Sequence, residues 1–189
     1  MLIRRDTTGD ICNAIINHAA VRPGMISAND DVLDVRPLAH DPRGVLLIGE
    51  PAFGCFLCYR VLDGVYEVHA GVLPGGRGPW CLEFGLSSVR HMFTSTDAIE
   101  ILTRIPQGHI GTVALAKRTG FRERWSRPHC RFRGQDVPYT VWSVVMQDWM
   151  PTEDAEREAV LEEMRRSGQE LKAHNWQYRW AFLSRLGMS

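Results

Sequence analysis

Apolar and polar positions follow two rhythms along the chain, a helical one and an extended one, and their order predicts the fold. Leu2-Ile3 opens as a short strand. Thr8 is placed to cap a helix on which Ile11, Ala14, Ile15 and Ala19 recur at i, i+3, i+4 spacing, and Arg22-Pro23-Gly24 ends it. Residues 27–42 mix Asn, Asp, Pro and Gly and read as loop, with a short strand over Val32–Val35. Three extended segments follow, Val45–Ile48, Ala52–Leu62 and Val65–Leu73. Asp63-Gly64 between the last two is a two-residue hairpin signal.

A glycine-rich loop, Pro74-Gly75-Gly76-Arg77-Gly78-Pro79, interrupts the extended rhythm. Pro79 suits a first helical position, where a missing N–H costs nothing. Trp80 to Phe93 then reads as a helix with Leu82, Leu86, Val89 and Phe93 on one face. Ala98–Ile105 alternates as a strand, with Ile99, Ile101 and Thr103 to one side. A second helix runs from Ile110 to Arg118 and ends at Gly120, a residue suited to a left-handed cap. Phe121 onward and Tyr139–Met146 read as two closing strands.

Pro151 marks a change of character. Thr152 is placed to cap a helix, Glu153 to Arg166, acidic at its start and basic at its end as the helix dipole favours. Ser167-Gly168 breaks it. A last helix, Gln169 to Leu186, carries Leu171, Tyr178, Phe182 and Leu186 on one face and Trp176, Trp180 and Leu183 on another. The order predicts an α+β, three-layer fold: a mixed, mostly antiparallel central sheet flanked by helices, with a C-terminal helical extension. Residues 1–150 form the domain and 151–189 the extension.

Composition narrows the function classes. The 189 residues carry 22 Lys+Arg against 22 Asp+Glu, with 44% hydrophobic and 23% charged positions, which describes a globular chain with a sizeable core. Zero net charge is unlike a protein whose main work is neutralising phosphates on nucleic acid. A local basic run, Lys117, Arg118, Arg122, Arg124, Arg127, Arg131 and Arg133, keeps a nucleic-acid surface as a minor reading beside that of a solvated face. No segment has the length of apolar residues that a membrane span needs, and the charged start lacks a signal-peptide pattern. Five cysteines, an odd count, predict reduced thiols and a cytoplasmic location.

Candidate chemistry concentrates in Tyr66–Leu73 and the loop after it. A glycine loop before a helix start presents backbone N–H groups and a positive dipole end to an anion. Glu67 and His69 are two apart on a strand, so they share a face and can act on one substrate; pairing with charges on a neighbouring strand is the structural alternative. Cys55-Phe56-Leu57-Cys58 has the spacing of half a zinc site, but no second pair follows, and no metal is expected. Cys81, near the helix start, has the position of a reactive thiol, and core packing is the alternative.

Two stretches carry a resemblance. Val72-Leu73-Pro74-Gly75-Gly76-Arg77-Gly78-Pro79-Trp80 is similar to the strand end and Arg-Gly turn of the GNAT superfamily of N-acetyltransferases, which bind acetyl-coenzyme A. His109-Ile110-Gly111-Thr112-Val113-Ala114-Leu115-Ala116-Lys117-Arg118-Thr119-Gly120-Phe121 resembles that family's Asn-x-x-Ala-x-x-Leu-Tyr-x-x-x-Gly-Phe helix. The likeness spans Leu2 to Gln147. GNAT-like proteins of phage genomes look closer, pairing a Glu-x-His strand with an Arg-Gly loop. The matching residues here are Glu67-Val68-His69, Arg77-Gly78, Met92-Phe93-Thr94 and Pro106-Gln107-Gly108-His109.

The resemblance implies an N-acetyltransferase that moves an acetyl group from acetyl-CoA to an amine of a small molecule or protein. His69 would be the base and Glu67 its companion, acting through a water or orienting the acceptor. The backbone N–H near Leu73 would polarise the thioester, with Val72 beside it. Arg77, Gly78 and the N–H groups of Trp80 and Cys81 would hold the pyrophosphate. His109 and Ala116 would lie near the pantetheine and thiol. Four positions depart from the family: Trp80 and Leu82 replace glycines and are expected to crowd the pyrophosphate, His109 replaces Asn, and Ala116 replaces the Tyr that serves as acid. These departures give the alternative of a catalytically inactive GNAT-like module with a binding or assembly role in a phage. The aromatic C-terminal helices either pack back on the domain or dock a second copy or a partner.

Overall fold

A computed structural model of the chain describes residues 1–25, 32–132 and 135–176. Seven strands form one sheet: β1 Ile3–Arg5, β2 Gly44–Gly49, β3 Gly54–Leu62, β4 Val65–Val72, β5 Glu100–Pro106, β6 Arg122–Phe132 and β7 Gln135–Val145. Their order across the sheet is β1-β2-β3-β4-β5-β7-β6. Every neighbouring pair is antiparallel except β4 and β5. The α-helices are α1 Asp10–Asn17, α2 Pro37–His40, α3 Pro79–Ser95, α4 Ile110–Arg118, α5 Met146–Trp149 and α6 Asp154–Arg166. Residues 170–176 are helical as well. The mixed, mostly antiparallel sheet flanked by helices is the α+β architecture that the sequence pattern predicts.

Strand alternation divides the interior in two. Leu46, Ile48, Cys55 and Leu57 point to one face, where Cys12, Ile15 and Ile16 of α1 cover them. Val45, Leu47, Phe56, Cys58, Tyr66 and Val68 point to the other, against Phe84, Val89, Met92 and Phe93 of α3. Phe84, Met92 and Phe93 are almost wholly buried, each worth about 1.5–3 kcal/mol of transfer free energy. On α3, Leu86, predicted for the buried face, is exposed, and Phe84, Ser88 and Met92 take its place.

Local chemistry explains the other departures. The start of α1 is held mainly by Asp6, whose carboxylate accepts the N–H groups of Gly9 (3.0 Å) and Cys12 (2.8 Å), while Thr8 Oγ1 accepts that of Asp10 at 3.3 Å. Residues 32–35 form no strand, because their backbone bonds to side chains of α1. The N–H of Leu33 reaches Asn17 Oδ1 at 2.9 Å, and the N–H of Val35 reaches Asn13 Oδ1 at 3.1 Å. The short helix α2 falls inside the predicted loop. Ile99 precedes β5 and is exposed. The two closing strands run longer than predicted, eleven residues each. Glu153, not Thr152, holds the cap position of α6.

The C-terminal extension packs back on α3. Glu163 accepts hydrogen bonds from Arg90 Nε and Thr94 Oγ1, both at 2.9 Å. Lys172 Nζ donates to the carbonyls of Phe93 (2.6 Å), Thr96 (3.0 Å) and Ala98. Val160, Leu161, Met164 and Ala173 join the same buried cluster as the sheet, with Trp176 against it. Leu171, predicted for an apolar face, is exposed. Tyr178, Trp180, Phe182, Leu183 and Leu186 lie outside the described residues.

Candidate active site

β4 and β5 pair only at their N-terminal ends, at Val65↔Glu100, Tyr66↔Ile101 and Glu67↔Leu102. Both strands continue for several residues, each still paired on its outer side, β4 with β3 and β5 with β7. They therefore diverge and open a wedge in the middle of the sheet. A cleft of about 540 Å³ occupies the wedge, a volume suited to a small-molecule site. Val68, Ala70 and Val72 line one side, Thr103, Arg104 and Pro106 the other. Beyond the sheet the wall is made by Ala20, Val21, Pro23, Gly24 and Met25 on one face and by Gly85, Leu115, Ala116 and Thr119 on the other.

The wedge exposes backbone as well as side chains. The N–H of Leu73 donates to the carbonyl of Phe53 at 2.7 Å, so Leu73 faces β3. Alternate residues of a strand point their N–H groups to opposite edges, which turns Val72, Ala70 and Val68 toward the opening. The N–H of Leu73 is thus engaged within the sheet, whereas that of Val72 faces the opening.

One end of the cleft is the start of α3. Gly78 occupies the cap position with φ 86° and ψ −135°, a conformation costly for any residue with a Cβ. A Cβ built there would meet nothing within 4 Å, so the backbone is open to approach. Pro79 has no N–H, and the first intrahelical bond runs from Leu82 to Gly78 O at 3.3 Å. The N–H groups of Trp80 and Cys81 are thus left at the helix start without intrahelical acceptors. Arg77 stands beside them, with Nη2 donating to Ala20 O at 3.3 Å. Cations, amides and the helix dipole together make this end suited to an anion.

Trp80 does not crowd that end. Its ring stacks on Phe84 at 4.9 Å and meets Phe53 edge-on at 5.8 Å. Cβ atoms placed on Gly49 or Gly54 would approach the indole to 2.9 Å, so those glycines make room for it. The side chain fills a hydrophobic niche on the far side of the helix and is absent from the cleft wall. Cys81 does line the cleft, and burial pushes its thiol up, which makes it a poor nucleophile rather than an activated one.

Glu67 and His69 share the face of the sheet that α1 covers over β2 and β3 and leaves open over β4 and β5. His69 Nε2 lies 3.1 Å from Glu67 Oε1. The same oxygen accepts Nε (2.6 Å) and Nη2 (2.5 Å) of Arg104 across the wedge. Burial raises the Glu67 carboxyl, but His69 and Arg104 outweigh it and hold the group below the ordinary carboxylate value. Glu67 is therefore an ionised carboxylate in the second row, off the cleft wall, whereas His69 and Arg104 are on the wall.

His109 precedes α4 and lines the cleft from the β5 side. Its Nδ1 is hydrogen-bonded to Thr112 Oγ1, and its ring meets Phe132 at 5.5 Å. Ala116 is buried in the wall, with Thr112 and Thr119 lining the cleft beside it. Of the candidates read from the sequence, the cleft brings together His69, Val72, Arg77, Gly78, Cys81, His109 and Ala116. Glu67 stands behind His69, and Leu73 and Trp80 turn away. Arg104 was missed. A parallel pairing of β4 with β5 would have signalled it, since Arg104 lies two residues past the partner of Glu67.

Among the described residues, no three His, Cys, Asp or Glu side chains stand together as metal ligands. No described helix is long and apolar enough to cross a membrane. Of the basic run, Arg122 pairs with Asp148 and Arg131 with Asp136, and Arg133 lies outside the described residues.

No family model matches the chain, and no curated protein matches it by sequence. Solved structures do match by fold. A point mutant of the spermidine N-acetyltransferase of Vibrio cholerae superposes with a TM-score of 0.65 at 12% identity, covering 79% of this chain and 98% of the other. The ribosomal-protein-alanine N-acetyltransferase of Brucella melitensis gives 0.61 at 19% identity, covering 77% and 100%. The Vibrio enzyme in complex with CoA and spermine gives 0.63 at 13%, covering 79% and 98%. At these identities the likeness is one of fold. This chain has the fold of the GNAT N-acetyltransferases.

Proposed function

We propose that the chain is an acetyl-CoA-dependent N-acetyltransferase acting on a primary amine. The observation that supports it most is the wedge between β4 and β5, which leads from the unpaired amides at the start of α3 to His69. A pyrophosphate fits the α3 end, held by Arg77, Gly78 and the N–H groups of Trp80 and Cys81. The pantetheine arm, which carries amides, fits the free strand edges of the wedge, beside His109 and Ala116. The CoA and spermine of the Vibrio complex belong to that protein; acetyl-CoA and an amine acceptor enter here as part of the same proposal.

His69 is the catalytic base. Glu67, kept ionised by Arg104, accepts the Nε2–H of neutral His69, which leaves Nδ1 with the lone pair. The amine nitrogen attacks the thioester carbon, whose oxygen is polarised by the Val72 amide. As the C–N bond forms, the amine proton passes to His69, and Glu67 stabilises the imidazolium. The C–S bond then breaks, and the departing thiolate takes the proton back from His69. The products are the amide and free CoA thiol. A thiol with a pKa of about 8.5 leaves readily, so a Tyr at position 116 is dispensable to this scheme. The inactive-module reading loses its main ground, because Trp80 leaves the site open.

The thiols of Cys12, Cys55 and Cys58, all buried and unpaired by disulfides, support a reducing, cytoplasmic setting. The Glu67-x-His69 pattern supports placing the chain beside phage-encoded members. A second copy or a partner docked on the C-terminal helices belongs to the same proposal; Leu171 there is exposed. The test is acetyl-CoA-dependent release of free thiol with a mixture of primary amines, with acetylated product identified by mass. Replacing His69 by Ala is expected to lower kcat by about 10²–10⁴-fold. Turnover undiminished in that variant would refute the role given to His69.

A further inference from the structure

The charges on the cleft wall point to the chemical class of the acceptor, an inference that rests on the acyltransferase reading above. Among the described residues no Asp or Glu lines the cleft. Its charged side chains are Arg77 and Arg104, accompanied by His69 and His109. Arg77 is accounted for by the anionic coenzyme at the start of α3. Arg104 is not. It lies beside His69, at the reacting end.

Arg104 has five N–H donors. Glu67 engages it through Oε1 alone, with Nε and Nη2 sharing that one oxygen. Glu67 is its only acidic partner among the described residues, and its side chain is 40% exposed. When coenzyme and acceptor fill the cleft, water leaves the outer edge of the guanidinium. A polycation there would be desolvated against an arginine with no carboxylate to meet it. A neutral amine would leave the guanidinium donors unpaired. An acceptor carrying its own carboxylate or phosphate would pair with those donors in a charge-assisted bond and bring its amine to His69.

We infer that the acceptor is a small primary amine bearing a carboxylate or phosphate within a few bonds of the nitrogen, anchored by Arg104. The cleft volume, shared with the pantetheine arm, suits a small molecule. Arg104 thus has two contacts, inward to Glu67 and outward to the acceptor.

The experiment uses the full chain with saturating acetyl-CoA and matched acceptor pairs. α-Amino acids are compared with their amides, aminoethyl phosphate with ethanolamine, and spermidine serves as the polycation. The expected result is a kcat/KM at least about tenfold higher for the anionic member of a pair, a difference of about 1.4 kcal/mol. Which pair shows it distinguishes carboxylate from phosphate. In Arg104→Gln the ratio falls toward one, and Arg104→Lys restores part of it. Acetyl-CoA affinity, measured alongside, reports that each variant is folded.

Preference for the amides, for ethanolamine or for spermidine would overturn the inference. So would a ratio unchanged in Arg104→Gln, or failure of every anionic amine to bind the CoA-loaded protein at millimolar concentration. Absence of acetyl-CoA binding by the unaltered chain is a different failure, one that removes the acyltransferase reading itself.

Discussion

Trp80→Ala separates two accounts of the substitution that most sets the α3 start apart from a glycine-rich turn. If Trp80 narrowed the coenzyme site, removing it would tighten binding. The structure gives it a different task. Its indole stacks on Phe84 at 4.9 Å, meets Phe53 at 5.8 Å, and sits over backbone that only Gly49 and Gly54 leave low enough. Truncating a buried Trp to Ala costs about 3–5 kcal/mol. Trp80 is partly exposed, so the lower end, about 3 kcal/mol, applies. For a chain of this length, about 2–4 °C per kcal/mol converts that into a fall in Tm of about 6–12 °C. Its indole N–H is buried without a partner among the described residues, so Trp80→Phe sacrifices no hydrogen bond and costs under about 1.5 kcal/mol. Thermal unfolding followed by circular dichroism reads both variants, and acetyl-CoA titration below the transition reads the site. Unchanged stability with coenzyme binding tightened tenfold or more in Trp80→Ala would refute the reasoning.

Four further outcomes follow from the geometry. Glu67→Gln is expected to lower kcat/KM by at least about tenfold, about 1.4 kcal/mol of transition-state stabilisation, and equal activity would contradict the orienting role. Because the Glu67 carboxyl is held below 4.5 in the fold, its stabilising contribution is complete above that pH. It is lost as pH falls through the folded value. Urea unfolding from pH 6 to 3 should show a shallower loss in Glu67→Gln than in the unaltered chain. Cys81, raised by burial, should alkylate slowly with iodoacetamide and more slowly still with acetyl-CoA present. Cys130, outside the cleft wall, should be unprotected, and equal protection of both would contradict the placement. Lys172→Met leaves the carbonyls of Phe93, Thr96 and Ala98 without their donor. It should cost about 2 kcal/mol and open residues after Arg165 to limited proteolysis, whereas an unchanged digestion pattern would contradict docking through Lys172.

The central strands and helices were legible because their chemistry is local. Asp63-Gly64 announced the hairpin, Pro79 the start of α3, and Gly120 the end of α4, each through its own φ preference or missing N–H. Asp6 as the cap of α1 was not legible, since it acts from β1's end across a turn. The strand expected at Val32–Val35 failed for a similar reason: two asparagines on α1 satisfy its backbone. In the site, Glu67-x-His69 and Arg77-Gly78 stood out because each pair lies within three consecutive residues. Arg104 belongs to the same cluster but enters through a parallel pairing that no short-range pattern encodes. The direction of Trp80 depended on glycines at 49 and 54, more than 25 residues away.

The most direct test of the account is calorimetric titration of the full chain with acetyl-CoA, repeated with Arg77→Ala and with Gly78→Val. The account predicts micromolar binding, weakened about tenfold by Arg77→Ala, the loss of about 1.4 kcal/mol. Gly78→Val, which strains the cap and puts a side chain into the open space before α3, should weaken it further. No binding at millimolar acetyl-CoA, or equal binding in all three proteins, would contradict a coenzyme site at the start of α3.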